Sequence, residues 1–355
     1  MRRRGRIAPG AASVAARGAG LALVVAVLAS GVAGCSMGFG RVATPPAAAA
    51  MQAEVEAPRC AHETLDFEWH DPARGRDVPA RLYLPQADAA VPLVVFSHGL
   101  GGSRFGFSNL GRHWAGECVA ALHLQHAGSD RALWRAGRGW ALLSSLREAA
   151  TADNAVARAV DVRFALDHVL LEPSLAGRID ANRIGAAGHS FGANTALMVA
   201  GARFERDGKA MDWRDPRIKA AVILSPPSLP GGLDAQATYG AIAVPTLHLT
   251  GTRDVTPIPG LLTMPWHRRE AFDAIHAAPR YLGIFDGGTH NAFSDWKRDA
   301  TGLAVKAVTR KLTAAFWEAN LGKRIDLPSV ALLHAADGLP GADGAPALWL
   351  WERRD

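Results

Sequence analysis

The chain is expected to adopt an α/β fold, a mostly parallel, doubly wound sheet of about eight strands with helices on both faces. Three observations lead there. Short apolar runs recur at 92–97, 119–124, 183–188, 219–224, 244–250 and 279–285, with helix-length segments between them. These runs do not alternate apolar with polar, which is the pattern of strands buried on both faces. An antiparallel pair, 62–68 and 76–84 joined at Pro72-Ala73-Arg74-Gly75, precedes them. Strands alternating with helices lie side by side in parallel.

The first thirty-four residues read differently. Arg2, Arg3, Arg4, Arg6 and Arg17 precede an apolar run from Leu21 to Val32 that ends in Val32-Ala33-Gly34-Cys35. A basic start and an apolar run too short to span a bilayer fit a secretory signal. Val-Ala-Gly-Cys resembles the bacterial lipobox, which implies cleavage before a lipidated Cys35; a plain signal cut near Ala33 and an uncleaved anchor are the alternatives. Ser36 is not the aspartate of an inner-membrane retention signal, so the expected place is the outer membrane, lipid-anchored and facing the periplasm. The formal charge of +6 owes five positive residues to this leader, which has no acid, leaving about +1 on the mature chain. A basic balance that leaves with a leader is no signal for nucleic acid, and no such partner is expected. Residues 35–59, rich in Ala and Pro, read as a lipidated linker.

Residues 60–325 are expected to form one catalytic domain, long enough to bury a sizeable core. Within it, 140–171 reads as one long helix, with Val156, Val160, Phe164, Leu166 and Val169 at broadly helical spacing. Segments 126–135 and 226–240 are expected to overhang the site. Residues 326–355 form a C-terminal extension whose apolar end, Ala347-Leu348-Trp349-Leu350-Trp351, reads as a docked edge strand, since five exposed apolar residues would invite association.

The chemistry concentrates at Gly188-His189-Ser190-Phe191-Gly192, between the apolar run from Arg183 and the helix-like Ala193–Ala200. A Gly-x-Ser-x-Gly at a strand-to-helix turn presents its serine alone at the apex, because the glycines admit strained angles and close approach. Upstream, the strand 92–97 runs into Ser97-His98-Gly99-Leu100-Gly101-Gly102. Such a loop supplies backbone N–H groups that stabilise a tetrahedral oxyanion by a few kcal/mol. Leu100 and Phe191 are the expected donors, the second at a helix start where the dipole adds to the effect.

A serine hydroxyl needs a general base held in one tautomer by a carboxylate. In the chain order Ser, acid, His, the strand 244–250 empties into Gly251-Thr252-Arg253-Asp254 and the next into Asp286-Gly287-Gly288-Thr289-His290. His290 is the expected base and Asp254 its orienter. Asp286 is the rival acid, but it sits four residues before His290 on the same short turn. Of the thirteen histidines, His248 reads as core, His98 as a brace for the oxyanion loop, and His189 as pointing off the elbow. His123 and His126 with Asp130 form no metal-ligand spacing, so neither metal nor cofactor is expected.

Together these segments resemble the α/β-hydrolase superfamily, and within it the dienelactone-hydrolase-like and platelet-activating-factor-acetylhydrolase-like esterases. The likeness rests on Ser97–Gly101, Gly188–Gly192, Thr250–Asp254 and Gly288–His290, over roughly 60–320. It implies a serine esterase acting through Ser190, His290 and Asp254 on a small-molecule ester, without a cofactor. Dienelactone hydrolases use cysteine as nucleophile, and the acetylhydrolases place their acid after the preceding strand, where this chain has Ser225-Pro226-Pro227-Ser228. Both departures leave the substrate open. Acyl transfer, peptide cleavage and a catalytically silent envelope module are the competing roles.

Short-chain acyl or lactone-like esters are the expected substrates, in the absence of a long hydrophobic lid. Trp134, Phe191, Trp266, Phe293 and Trp296 are the aromatic candidates for the pocket. Cys60 and Cys118 either pair as a disulfide or stay as separate thiols. Oligomeric state is not legible.

Overall fold

The computed structural model describes residues 58–355 except 207–208, 232, 257, 259–261, 323–330, 337–338 and 340–346. The signal segment, Cys35 and most of the linker lie outside the described residues. Among the described residues no helix is long and apolar enough to cross a membrane.

The architecture is α/β. β1 (His62–Asp71) and β2 (Arg76–Pro85) form an antiparallel ribbon. β3 (Val91–Ser97), β4 (Ala120–Leu124), β5 (Ile179–His189), β8 (Ile218–Leu224), β9 (Thr246–Arg253) and β10 (Arg280–Thr289) are parallel. Between β5 and β8, β6 (Arg203–Arg206) and β7 (Lys209–Asp212) make a separate hairpin. β11 (Leu348–Arg354) returns antiparallel on β10, with Ile284 opposite Leu350. The sheet order is β1-β2-β4-β3-β5-β8-β9-β10-β11.

The helices are α1 (Ser108–Gly116), α2 (Trp140–Ala149), α3 (Ala152–Leu171), α4 (Phe191–Ala200), α5 (Ala235–Tyr239), α6 (Glu270–Ala274) and α7 (Ala300–Leu321). Successive residues of a strand point to opposite faces, and β3 shows the consequence. Val94 and Phe96 join the core under α1 and α7, with Leu110, Trp114, Phe316 and Trp317. Leu93 and Val95 join the core under α3 and α4, with Val162, Leu166, Ala193 and Leu197. The buried Trp114 indole spends its one donor on Thr313 Oγ1 at 2.9 Å, so the α1–α7 contact leaves that N–H satisfied.

Three expectations change. The sheet has nine strands rather than about eight, because the C-terminal run is a full member that covers the open edge of β10. The helix expected over 140–171 breaks at Ala150–Thr151, where Thr151 Oγ1 accepts from Asn154 N at 3.2 Å and starts α3 afresh. The β6–β7 hairpin was not anticipated. Its sequence signal is the Asp207-Gly208 pair, a common two-residue hairpin connection. Cys60 and Cys118 are joined as a disulfide, their Cα atoms 5.3 Å apart.

Candidate active site

The parallel strands end on one side of the sheet, where open α/β folds collect ligands. Four of those ends build the site. β5 gives way to α4 at Ser190, whose φ of 56° and ψ of −121° are strained for a residue with a side chain. Two glycines make the turn feasible: a Cβ on Gly188 would collide with the Gly192 carbonyl, and one on Gly192 with the Ser97 carbonyl. Ser190 N donates to Leu224 O at 2.9 Å, tying the apex to β8. Ser190 Oγ has no hydrogen-bond partner among the described residues. In unliganded sites the nucleophile-to-base bond is commonly long and tightens on substrate.

β9 ends in Asp254 and β10 in the loop carrying His290. These strands are direct parallel neighbours, so the two side chains meet: His290 Nδ1 lies 2.8 Å from Asp254 Oδ1. Asp254 is fully buried, accepts from Thr250 Oγ1 at 2.8 Å and forms an ion pair with Arg268 Nη2 at 3.0 Å. Arg268 Nη2 is 3.2 Å from His290 Nδ1 as well. An ionised carboxylate only accepts, so the Nδ1 that faces Asp254 Oδ1 carries the proton. Nε2 is then free to take a proton. Burial alone would push the Asp254 carboxyl up, but the His290 hydrogen bond and the Arg268 charge hold it well below the usual carboxylate range. Asp286, the rival acid, is exposed and approaches Thr252 Oγ1 at 3.4 Å instead.

His189 does not point off the elbow. Its Nε2 donates to His290 O at 2.8 Å and its ring lies 4.7 Å from the His290 ring, fixing His290 against the residue next to Ser190. Burial, then the nearby His290, pulls His189 down to about 3, so it stays neutral.

On the other side, Leu100 and Phe191 sit at the two backbone positions expected to face an oxyanion. Neither N–H has a backbone acceptor among the described residues. The loop is held from behind. His98 Nδ1 donates to Gly99 O at 2.6 Å and Nε2 accepts from His126 N at 3.2 Å. Trp134 Nε1 donates to Gly101 O at 2.7 Å. Fully buried Arg158 donates to the His98 carbonyl, and its guanidinium lies 4.7 Å from the Phe191 ring centroid. One side chain therefore touches both segments that carry the expected donors. His126 links Ser97 Oγ at 3.1 Å to Asp161 at 2.9 Å, and Asp161 is met by Arg74 and Arg76 at 2.8 Å each.

The remaining expectations fall as follows. His248 is buried in β9 and bonds Thr246 Oγ1 at 3.0 Å. His123 bonds Gly106 O at 3.1 Å, and Asp130 caps a turn at Ala132. No group of residues able to hold a metal occurs among the described residues. A cavity of about 900 Å³ has Ser190, Leu100 and Phe191 in its wall. Of the expected pocket aromatics only Phe191 lines it. Phe293 is a core residue packed on Phe285, Trp266 and Trp296 are exposed, and Trp134 braces the loop. Aromatic residues near a site are more often structural than lining.

Sequence reasoning missed Arg268, Arg158 and the role of His189. Arg158 had a signal: it falls three after Ala155 and four before Val162, on the apolar stripe of α3. Compared with known proteins, the chain matches no family model and no curated protein.

Proposed function

We propose that the protein is a serine hydrolase of the α/β-hydrolase type that cleaves carboxylic esters without a cofactor. The observation that carries this reading is the buried Asp254–His290 contact at 2.8 Å, set against the residue adjoining a strained Ser190. Ser190 Oγ bonds to the ester carbonyl carbon as its proton passes to His290 Nε2, and the oxyanion takes hydrogen bonds from Leu100 and Phe191 N–H. The bond to the alcohol then breaks, and His290 returns the proton to the departing oxygen. Water gives its proton to His290, bonds to the acyl carbon, and Ser190 leaves with that proton.

Ser190→Ala tests this. Ester turnover is expected to fall by at least about a thousandfold while the fold survives the loss of one oxygen, and covalent labelling by a fluorophosphonate is expected to vanish. Near-wild-type turnover in that variant would sink the assignment.

The same proposal places the enzyme in a bacterial envelope, held by lipid on Cys35. Acyl chains contribute about 0.8 kcal/mol per buried methylene, enough for stable anchoring by several chains. A palmitate analogue fed to a Gram-negative host is expected to label the wild type and not Cys35→Ser; labelling that persists in the variant refutes the anchor.

A further inference from the structure

The cavity beside Ser190 is far larger than an acetyl group requires. Its apolar wall includes Val156 of α3, Met198 of α4, Phe204 and Trp213 at the β6–β7 hairpin, Leu229 and Tyr239 beyond β8, and Ile258 and Leu262 beyond β9. At about 900 Å³ it falls near the top of the range that accommodates a drug-sized ligand. A short acyl group would leave most of that wall facing water. A chain that fills it gains from each methylene removed from water.

Which half of an ester enters is set by the proton donor. The leaving alcohol must depart beside His290 to receive its proton, and His290 is not part of the cavity wall. The two oxyanion positions and Ser190 are. The cavity therefore lies on the acyl side of the scissile bond.

Its charges restrict the acyl chain further. Glu205 and Glu270 are at the wall, and Arg268, the one arginine there among the described residues, is paired with Asp254 and bound to the Ser225 and Pro226 carbonyls. Glu270 accepts from Leu229 N at 2.9 Å. A chain ending in a carboxylate would meet like charge at Glu205 and Glu270.

Resting on the esterase reading above, we propose that the natural substrate is a neutral ester with an apolar acyl chain of medium length or longer, lodged in this cavity, rather than a short-chain or lactone-like one. The test is kcat/KM of the full-length protein on p-nitrophenyl acetate, butyrate, hexanoate, octanoate and decanoate. Each methylene that enters is expected to raise kcat/KM by about fourfold, so octanoate, four methylenes longer, should exceed butyrate by about 250-fold. The p-nitrophenyl monoester of the eight-carbon dicarboxylic acid should run at least about tenfold below octanoate. Val156→Trp, and separately Leu229→Trp, should lower the octanoate-to-acetate ratio at least about tenfold, a ratio that partial misfolding does not change. A flat or falling series with acetate still hydrolysed overturns this proposal and leaves the esterase standing. Unchanged ratios in both variants overturn the cavity as the acyl site. Absence of turnover on every ester together with no phosphonate labelling of Ser190 overturns the esterase reading, and this one with it.

Discussion

Two buried arginines serve the two halves of the site in different ways. Arg268 faces a carboxylate: its charge lies 3.0 Å from Asp254, and the rest of its guanidinium is spent on the Asp254, Ser225 and Pro226 carbonyls. Arg158 bonds the His98 carbonyl, approaches the Ser129 hydroxyl and covers the Phe191 ring, while Asp161 nearby is already held by Arg74 and Arg76. The first stabilises a charge that the proposed proton relay needs. The second holds two backbone segments in register. A buried ion pair and a buried brace look alike in a list of contacts, yet removing them should damage different quantities.

The largest effect should come from the relay itself. Asp254→Asn keeps the shape but cannot hold His290 with the proton on Nδ1, so kcat should fall by about 10⁴. Asp286→Asn should change it by less than about threefold, since Asp286 is exposed and bonded elsewhere. Steady-state kinetics on the two variants, ranking them in the reverse order, would reassign the acid.

The arginines then separate the halves. Arg158→Met should lower kcat by about a hundredfold, the scale of one lost oxyanion donor, with a smaller effect on stability. Arg268→Met should cost about 3 kcal/mol of stability by stranding a buried carboxylate, with the smaller loss in kcat. Urea midpoints and kcat measured on both proteins decide it; matching profiles would erase the distinction.

The smallest effect per residue concerns acid. His126, behind the oxyanion loop, is pulled down to about 4 and His189, behind the base, to about 3, in both cases chiefly by burial. Unfolded histidines take up a proton near 6.5. The unfolded state therefore binds more protons as pH falls from about 6.5 toward those folded values, and each histidine removes about 1.4 kcal/mol of stability per pH unit across that window; above it the contribution is constant. His189→Gln should flatten the pH dependence of the urea midpoint between pH 6.5 and 4.5 by one proton. An unchanged slope would mean that His189 does not stay neutral in the fold.

The parallel sheet was legible because buried strands leave continuous apolar runs, and the meeting of Asp254 with His290 because each residue terminates one of two adjacent strands. β11 was legible as a docked edge strand, because five apolar residues left exposed would invite association, and it pairs along the edge of β10. The helix break at Ala150–Thr151 escaped because both sides keep helical composition and the stop rests on one capping hydroxyl. Arg268 escaped for a deeper reason. It lies fourteen residues from Asp254 on a short turn with no periodicity, so only the tertiary fold brings charge and countercharge together. The cavity escaped likewise, since its wall draws on six separated segments.

The Cys60–Cys118 bond has a mechanical consequence. It joins the residue just before the β1–β2 ribbon to the end of α1, a separation of 58 residues. Tension applied from upstream of Cys60 passes through the sulfur bridge to Cys118 and bypasses β1, β2, β3 and α1. At about 3.5 Å per extended residue, roughly 200 Å of chain is hidden from a pulling force until the bridge is reduced. The ribbon at that edge of the sheet, and the β3 loop that carries Leu100, are thereby insulated from whatever holds or drags the protein by its N-terminal side.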